Sequence, residues 1–324
     1  MRQRDSAHRH LQRKIMKIPP LFNCSNDMAL AANVRQYFPP KRIQQMEDDL
    51  KELALYWDEG PWGWSHCTKL RYRKMGVSVE ELPCDEWLDD VRTLSSREYA
   101  CKYIKQMLQE MNDDRLVGKD MSFINNMEVL SLKEDESLIF KSPWSSSGRG
   151  VFTSHKLSEE LIRKKLQGFL NTQGGFVYDK FYDKETDFAM EFYVHKDHSV
   201  DFLGYSVFQA AENGAYGYNY VESQEDLKAR IGVDDELLNK LITYHKQYLG
   251  QTAYYGPVGI DMLKCKDGKI HPCIEINLRM NMGILAILLY NRYGANADVQ
   301  LTPKREHGFE AVIDNGKLMI IYKS

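Results

Sequence analysis

Asp261, Glu275, Asn277 and Arg279 lie close to one another in the pattern of the chain: an aspartate late in one apolar run, a tight Asp267-Gly268 turn, then Glu, Asn and Arg at alternate positions. Carboxylate and amide oxygens are hard donors. Mg²⁺ usually takes one or two carboxylates and leaves its other positions to water and substrate phosphate. An arginine beside them suits planar anions. Singly, Asp261 could end a strand and Glu275 could face solvent; the conjunction of four residue types points to a metal-nucleotide site.

A second group begins at Lys141 and runs through Ser142-Pro143-Trp144-Ser145-Ser146-Ser147-Gly148-Arg149-Gly150. A lysine ending a strand precedes hydroxyls and exposed backbone N–H groups, and glycine lets such a backbone approach a phosphate closely. The spacing is not GxxxxGK[ST]. An ordinary surface turn is the competing reading of this stretch alone.

These residues need particular elements to meet. Leu138–Lys141 reads as a strand. Phe188–His195 and Ser199–Gln209 read as a hairpin around Lys196–His198, and Asp234–Tyr248 as a helix before the Asp261/Glu275 hairpin. Parity decides that last hairpin. A two-residue Asp267-Gly268 loop would put Asp261 on the face opposite Glu275 and Asn277. A three-residue loop with a glycine bulge puts all three on one face, so the metal reading requires an odd loop. Elsewhere, Pro39-Pro40 introduces an amphipathic helix through Ile43, Met46, Leu50, Leu53 and Ala54. Ser95 and Glu98 stand at capping-box spacing. Ser158 caps a helix, Glu212–Tyr220 reads as a glycine- and tyrosine-rich loop, and Asn315-Gly316 signals a final hairpin turn.

Together, Lys141 with its loop and the C-terminal cluster resemble the ATP-grasp superfamily of nucleotide-dependent ligases. The resemblance covers roughly Leu94 to the C-terminus and implies ATP with Mg²⁺, or Mn²⁺ in its place. Lys141 and Ser145–Gly150, that is Ser145, Ser146, Ser147, Gly148, Arg149 and Gly150, would meet the phosphates. Asp179, Lys180, Phe181 and Tyr182 would form the adenine hinge, and Asp187 would meet the ribose. Asp261, Glu275 and Asn277 would ligate the metal, with Arg279 and Lys141 catalytic. Arg97 stands where the family has an earlier phosphate-binding lysine; it keeps the charge but changes the geometry. The implied fold is α/β (α+β), with two α+β lobes clasping the nucleotide after a small Rossmann-like α/β domain. The implied boundaries are a basic tail at 1–15, a pre-ATP-grasp domain at 16–94, the phosphate-loop lobe at 95–180 and the metal-hairpin lobe at 181–324. The implied reaction joins a small-molecule carboxylate to an amine through an acylphosphate. A kinase acting on a hydroxyl, or a non-catalytic nucleotide-binding regulator, would use the same site.

Composition narrows the partners. Lys and Arg number 43 against 46 Asp and Glu, giving net charge −3, which argues against a nucleic-acid binder. Six cysteines form no CxxC pair, which favours a reduced cytoplasmic setting. Cys265, His271 and Cys273 match no common zinc spacing. No apolar run approaches the roughly 20 residues of a membrane helix.

Overall fold

Short polar residues start most of the helices. Ser65, Ser96, Ser158, Ser223, Asp234 and Asn281 each accept a bond from the backbone N–H three residues on, so one otherwise orphaned donor is satisfied at each start. The cap of the helix after residue 95 is Ser96, one later than the capping-box spacing suggests, because Ser95 closes the preceding helix. The computed structural model describes residues 18–130, 132, 137–145, 148, 150–155, 157–210 and 216–294, with strands 297–301, 309–313 and 319–323 described as backbone. The expected basic tail at 1–15 and the Asn315-Gly316 turn lie outside the described residues.

The order begins with α1 (Asn26–Ala32), α2 (Lys41–Asp49), a 3₁₀ segment (Lys51–Tyr56), α3 (His66–Lys74) and α4 (Asp85–Leu94). The amphipathic helix expected after Pro40 therefore ends at Leu50, and the 3₁₀ turn carries Leu53 and Ala54 inward. Among described residues 18–94 there is no strand, only the isolated bridges Leu21 to Pro61 and Gly63 to Arg279. The Rossmann-like α/β unit expected over 16–94 is thus replaced by a helical one. Its alternating apolar positions are spent on short helices packed through Phe22, Leu53 and Trp62.

Next come α5 (Arg97–Met111), β1 (Ser122–Ile124), β2 (Leu138–Lys141), β3 (Val151–Thr153), α6 (Glu159–Gln173) and β4 (Phe176–Lys180). Strands β1–β4 make an antiparallel sheet in the order β1-β4-β2-β3, with α6 packed on it through Ile162 and Leu166. Then follow β5 (Lys184–Val194), β6 (Val200–Ala210), β7 (Tyr216–Val221), α7 (Gln224–Ile231), α8 (Asp235–Leu249), β8 (Gly256–Cys265), β9 (Ile270–Asn277), α9 (Met282–Tyr293), β10 (Ala297–Leu301), β11 (Phe309–Ile313) and β12 (Met319–Lys323). The second sheet runs β11-β12-β10-β7-β6-β5-β8-β9. Residues 216–220 of the expected loop are therefore in strand β7, held between β6 and β10.

One face of the second sheet presents Phe188, Met190, Phe192, Val258, Ile260 and Met262 to a core shared with Leu227, Ile231, Leu238 and Leu241 of α7 and α8. Against its other face lies α9, which shares a second core with the N-terminal unit. Among the described residues no helix is long and apolar enough to cross a membrane.

Candidate active site

Pairing across β5, β8 and β9 lines up Glu191, Gly259 and Asn277 in one row, Ala189, Asp261 and Glu275 in the next, and Asp187, Leu263 and His271 in a third. Side chains alternate along a strand, so these rows share the face opposite the Phe188–Ile260 core. The turn makes this possible. Cys265 N–H donates to Lys269 O at 2.8 Å and Gly268 N–H to Cys265 O at 2.9 Å, leaving Lys266, Asp267 and Gly268 as a three-residue loop. Gly268 has φ +83°, the left-handed region a glycine bulge needs. The odd loop required by the sequence argument is present. The ladder then slips again: Asp261 to Leu263 spans two positions, while Glu275 to His271 spans four. Pro272 lies inside that bulge, where it owes no ladder N–H, and β9 is an edge strand that tolerates it. An even excess preserves parity.

Asp261 and Glu275 therefore face each other, with Asn277 beside them. Burial first, then the Glu275 and Glu191 carboxylates, drive the Asp261 carboxyl well above its usual range, and a hydrogen bond from Asn277 opposes the rise. Facing carboxylates in a buried place call for a cation. Among the described residues no three His, Cys, Asp or Glu side chains are grouped to hold a metal, so the donor set is two carboxylates and an amide oxygen. That set fits Mg²⁺, which leaves further positions to water and phosphate.

Arg97 joins this strand to the small-residue loop. It follows the Ser96 cap and is 4% exposed. One terminal nitrogen donates to Ser142 O and to Ser145 Oγ, both at 2.7 Å, and the other meets Glu275 Oε2 at 2.6 Å. Its Nε has no partner. Lys141, on the last position of β2, is buried beside it. Burial, with Arg97 adding to it, holds the ammonium below the ordinary lysine range, while Asp179 and Glu275 pull it back up.

The loop closes where Ser142 N–H meets Gly150 O at 2.8 Å. A Cβ on Gly150 would stand 2.3 Å from Ser142 Oγ, so only glycine fits. Trp144 fastens the base: its indole N–H donates to Arg92 O at 3.0 Å and its ring lies 3.9 Å from the Arg92 guanidinium carbon. Gly148 adopts φ +72°. Ser146, Ser147 and Arg149 lie outside the described residues.

At the end of β4, the Asp179 carboxylate turns inward. It is 2% exposed and pairs with His271 Nε2 at 2.8 Å, tying the small sheet to β9. Burial keeps His271 below its usual range, with Asp179 opposing. Lys180 is exposed, Phe181 is half exposed, and Tyr182 meets the His271 ring edge-on at 5.6 Å. Asp187 reaches the cleft face beside Lys184; burial raises its carboxyl, and Lys184 and Lys141 oppose that.

Two residues of this neighbourhood were not legible as such in the sequence. Asp27 on α1 accepts from Arg279 Nε at 2.9 and 3.0 Å, and the same guanidinium donates to Asn277 Oδ1 at 2.9 Å. The N-terminal unit is also stitched to this turn by Met280 N–H on Trp62 O at 2.7 Å. Glu191, 1% exposed, is held by Ser206 Oγ at 2.8 Å and Asn281 Nδ2 at 2.7 Å. Burial pushes its carboxyl up to about 7. A Cβ on Gly283 would stand 2.1 Å from Glu191 Oε1 and one on Gly259 2.5 Å from Oε2, so two glycines make room for it. A lone acid in the apolar run from Phe188 to Val194 was the available signal for Glu191; nothing in the sequence singled out Asp27 as the partner of Arg279. A narrow cleft bounded by Asp27, Leu30, Ser145, Glu275, Asn277 and Arg279 opens between these parts.

No family model and no curated sequence matches the chain. Solved structures do. A biotin carboxylase from Campylobacter jejuni, in a β-γ-ATP complex, matches with TM-score 0.52 and 12% identity over 81% of this chain and 68% of its own. The biotin carboxylase domain of Hydrogenobacter thermophilus 2-oxoglutarate carboxylase, with MgADP and bicarbonate, gives TM-score 0.49 and 10% identity over 73% of this chain. An ATP-grasp superfamily protein of Archaeoglobus fulgidus gives 0.44 and 15% over 72%. The chain spans 63% of the second structure's length and 65% of the third's. With two antiparallel sheets facing a common cleft, a lysine at a strand end and an acidic hairpin opposite, the chain has the ATP-grasp fold.

Proposed function

We propose that the chain is an ATP-dependent ligase that joins a small-molecule carboxylate to an amine. The observation that carries this reading is the convergence on one cleft of Lys141, Arg97 and Ser145 from the small-sheet side with Asp261, Glu275, Asn277 and Arg279 from the hairpin. The Campylobacter biotin carboxylase of the same fold, solved with an ATP analogue, supports it. The substrate carboxylate would attack the γ-phosphate, giving an acylphosphate and ADP, and the amine would then displace phosphate. Catalysis of this kind is mostly positioning and charge stabilisation. Lys141 and Arg97 offset phosphate charge, while Ser145, Gly148 and Gly150 would line the phosphates. Asp179–Tyr182 and Asp187 would hold the adenine and ribose end. Asp261, Glu275 and Asn277 would hold Mg²⁺, which when bound neutralises charge on β- and γ-oxygens. Arg279, fixed by Asp27, would stabilise the transferred phosphoryl group. We assign the unit ahead of Ser95 to substrate binding and the two sheets to nucleotide binding.

The test is ADP release by the full chain with Mg-ATP over a panel of carboxylate–amine pairs, with hydroxylamine present in parallel. Hydroxamate formation from the true acid is expected. ADP release without hydroxamate would assign a kinase instead, and metal-dependent nucleotide binding without turnover on any pair would leave a regulator.

A further inference from the structure

We propose that a cavity within the N-terminal helices is a binding site for a small zwitterion, a molecule carrying a primary ammonium and a carboxylate. The cavity measures about 180 Å³ and is walled by α1, α2 and α3, with Asn26, Tyr37, Glu47, Leu70, Arg71 and Lys74 as the residues that matter. Pockets for drug-sized molecules run to roughly 300–1,000 Å³, so the space suits a small metabolite and not a nucleotide.

Its charges are sorted by depth. Glu47 is inside, its side chain 7% exposed. Its Oε1 accepts from Ser25 N–H at 2.9 Å and Ser25 Oγ at 2.6 Å, and its Oε2 from Arg71 at 3.2 Å. A carboxylate offers about four acceptor positions, so Oε2 retains one. Arg71 and Lys74, one helical turn apart on α3, stand toward solvent, and Lys74 makes no ion pair among the described residues. An amine alone would meet two cations at the mouth. An acid alone would sit beside a buried carboxylate. A zwitterion, ammonium inward on Glu47 and carboxylate outward on Arg71 and Lys74, satisfies both, while Tyr37 and Leu70 offer apolar surface to the rest of the molecule.

A second observation ties this cavity to the cleft. Asn26 lines both, is 2% exposed, and its Nδ2 has no hydrogen-bond partner. Its neighbour in sequence, Asp27, fixes Arg279. Asn26 therefore borders both the cavity and the proposed reaction centre. Calling the zwitterion a substrate rests on the ligase reading; its binding does not.

The test is calorimetric titration of the full chain, free of nucleotide, with each of the twenty common amino acids, and for every binder its decarboxylated amine and its deaminated acid. We expect at least one amino acid to bind, with both analogues about tenfold weaker or worse. Lys74→Glu, at the exposed mouth, should weaken binding about tenfold without moving Tm, and Glu47→Gln should abolish it. Because Glu47 also holds Ser25, Lys74→Glu decides the matter where Glu47→Gln melts early. The proposal is overturned if no amino acid binds, if analogues bind as well, or if Lys74→Glu leaves affinity unchanged. Zwitterion binding with no turnover on any acid would sink the ligase reading alone; turnover without zwitterion binding would sink this one alone.

Discussion

Strands β5, β8 and β9 have two faces that obey different rules. One carries Phe188, Met190, Phe192, Val258 and Ile260 into a core closed by α7 and α8. The other, one residue out of phase, carries Asp187, Glu191, Asp261, Glu275 and Asn277. The apolar face is where burial stabilises the fold. The polar face brings together acids of like charge, so that Glu275 and Glu191 raise Asp261, and is kept tolerable by Arg97 and Arg279. The lesson is that the same backbone separates stability from chemistry by side-chain parity alone.

The sharpest way to break that separation is Asp261→Asn. On the cleft face it should cut turnover on the order of 10²–10³-fold while holding or raising Tm, since it removes a carboxylate crowded by Glu275. Near-normal turnover would mean the face is not the catalytic one. Ile260→Ala, its neighbour in sequence on the other face, should do the reverse. It should cost about 2–5 kcal/mol in denaturant unfolding and leave kcat/KM per folded molecule unchanged. Asp27→Asn tests whether the N-terminal unit belongs to the cleft. Stripping the buried Arg279 of its carboxylate should destabilise by about 3–5 kcal/mol and lower kcat; an effect on stability alone would make Asp27 a mere brace.

The smallest effect concerns pH. Glu191 on the cleft face is raised from 4.5 to about 7, so the folded chain binds its proton more tightly than the unfolded one. That contribution is fully present below pH 4.5 and is lost as pH rises toward 7, a loss of at most roughly 3 kcal/mol. His245, against Phe192 on the apolar side, is lowered from 6.5 to about 3 by burial. Its stability is present above pH 6.5 and drains away as pH falls toward 3. Glu191→Gln should remove the first slope and leave the second, as read by urea midpoints across pH 4 to 8.

Much of this was legible in the sequence because it is local. The Asp267-Gly268 turn, the glycines around Ser145 and the alternation of Glu275 and Asn277 are each set within a few residues. The Pro272 bulge was not, because an even slip leaves no trace in the alternation. Nor was the pairing of Arg279 with Asp27, which are brought together by long-range contacts such as the Trp62 to Met280 bond and the Gly63 to Arg279 bridge. The N-terminal unit was misjudged for a related reason. Its short apolar runs fit strands and one-turn helices equally well, and only packing against α9 through Phe22, Leu53 and Trp62 chooses between them.

The three-residue turn at Lys266–Gly268 gives this hairpin something like a reading frame. The turn is exposed and makes no contact with the cleft. Yet removing one residue from it would exchange the faces of β9 relative to β8, sending Glu275 and Asn277 toward the apolar core and Ile276 toward the cleft. Removing a second, or adding one back, would restore the phase. Insertions and deletions at this turn are thus expected to be tolerated in pairs and not singly, while the exposed Lys266 and Asp267 are free to vary and Gly268, at φ +83°, is not.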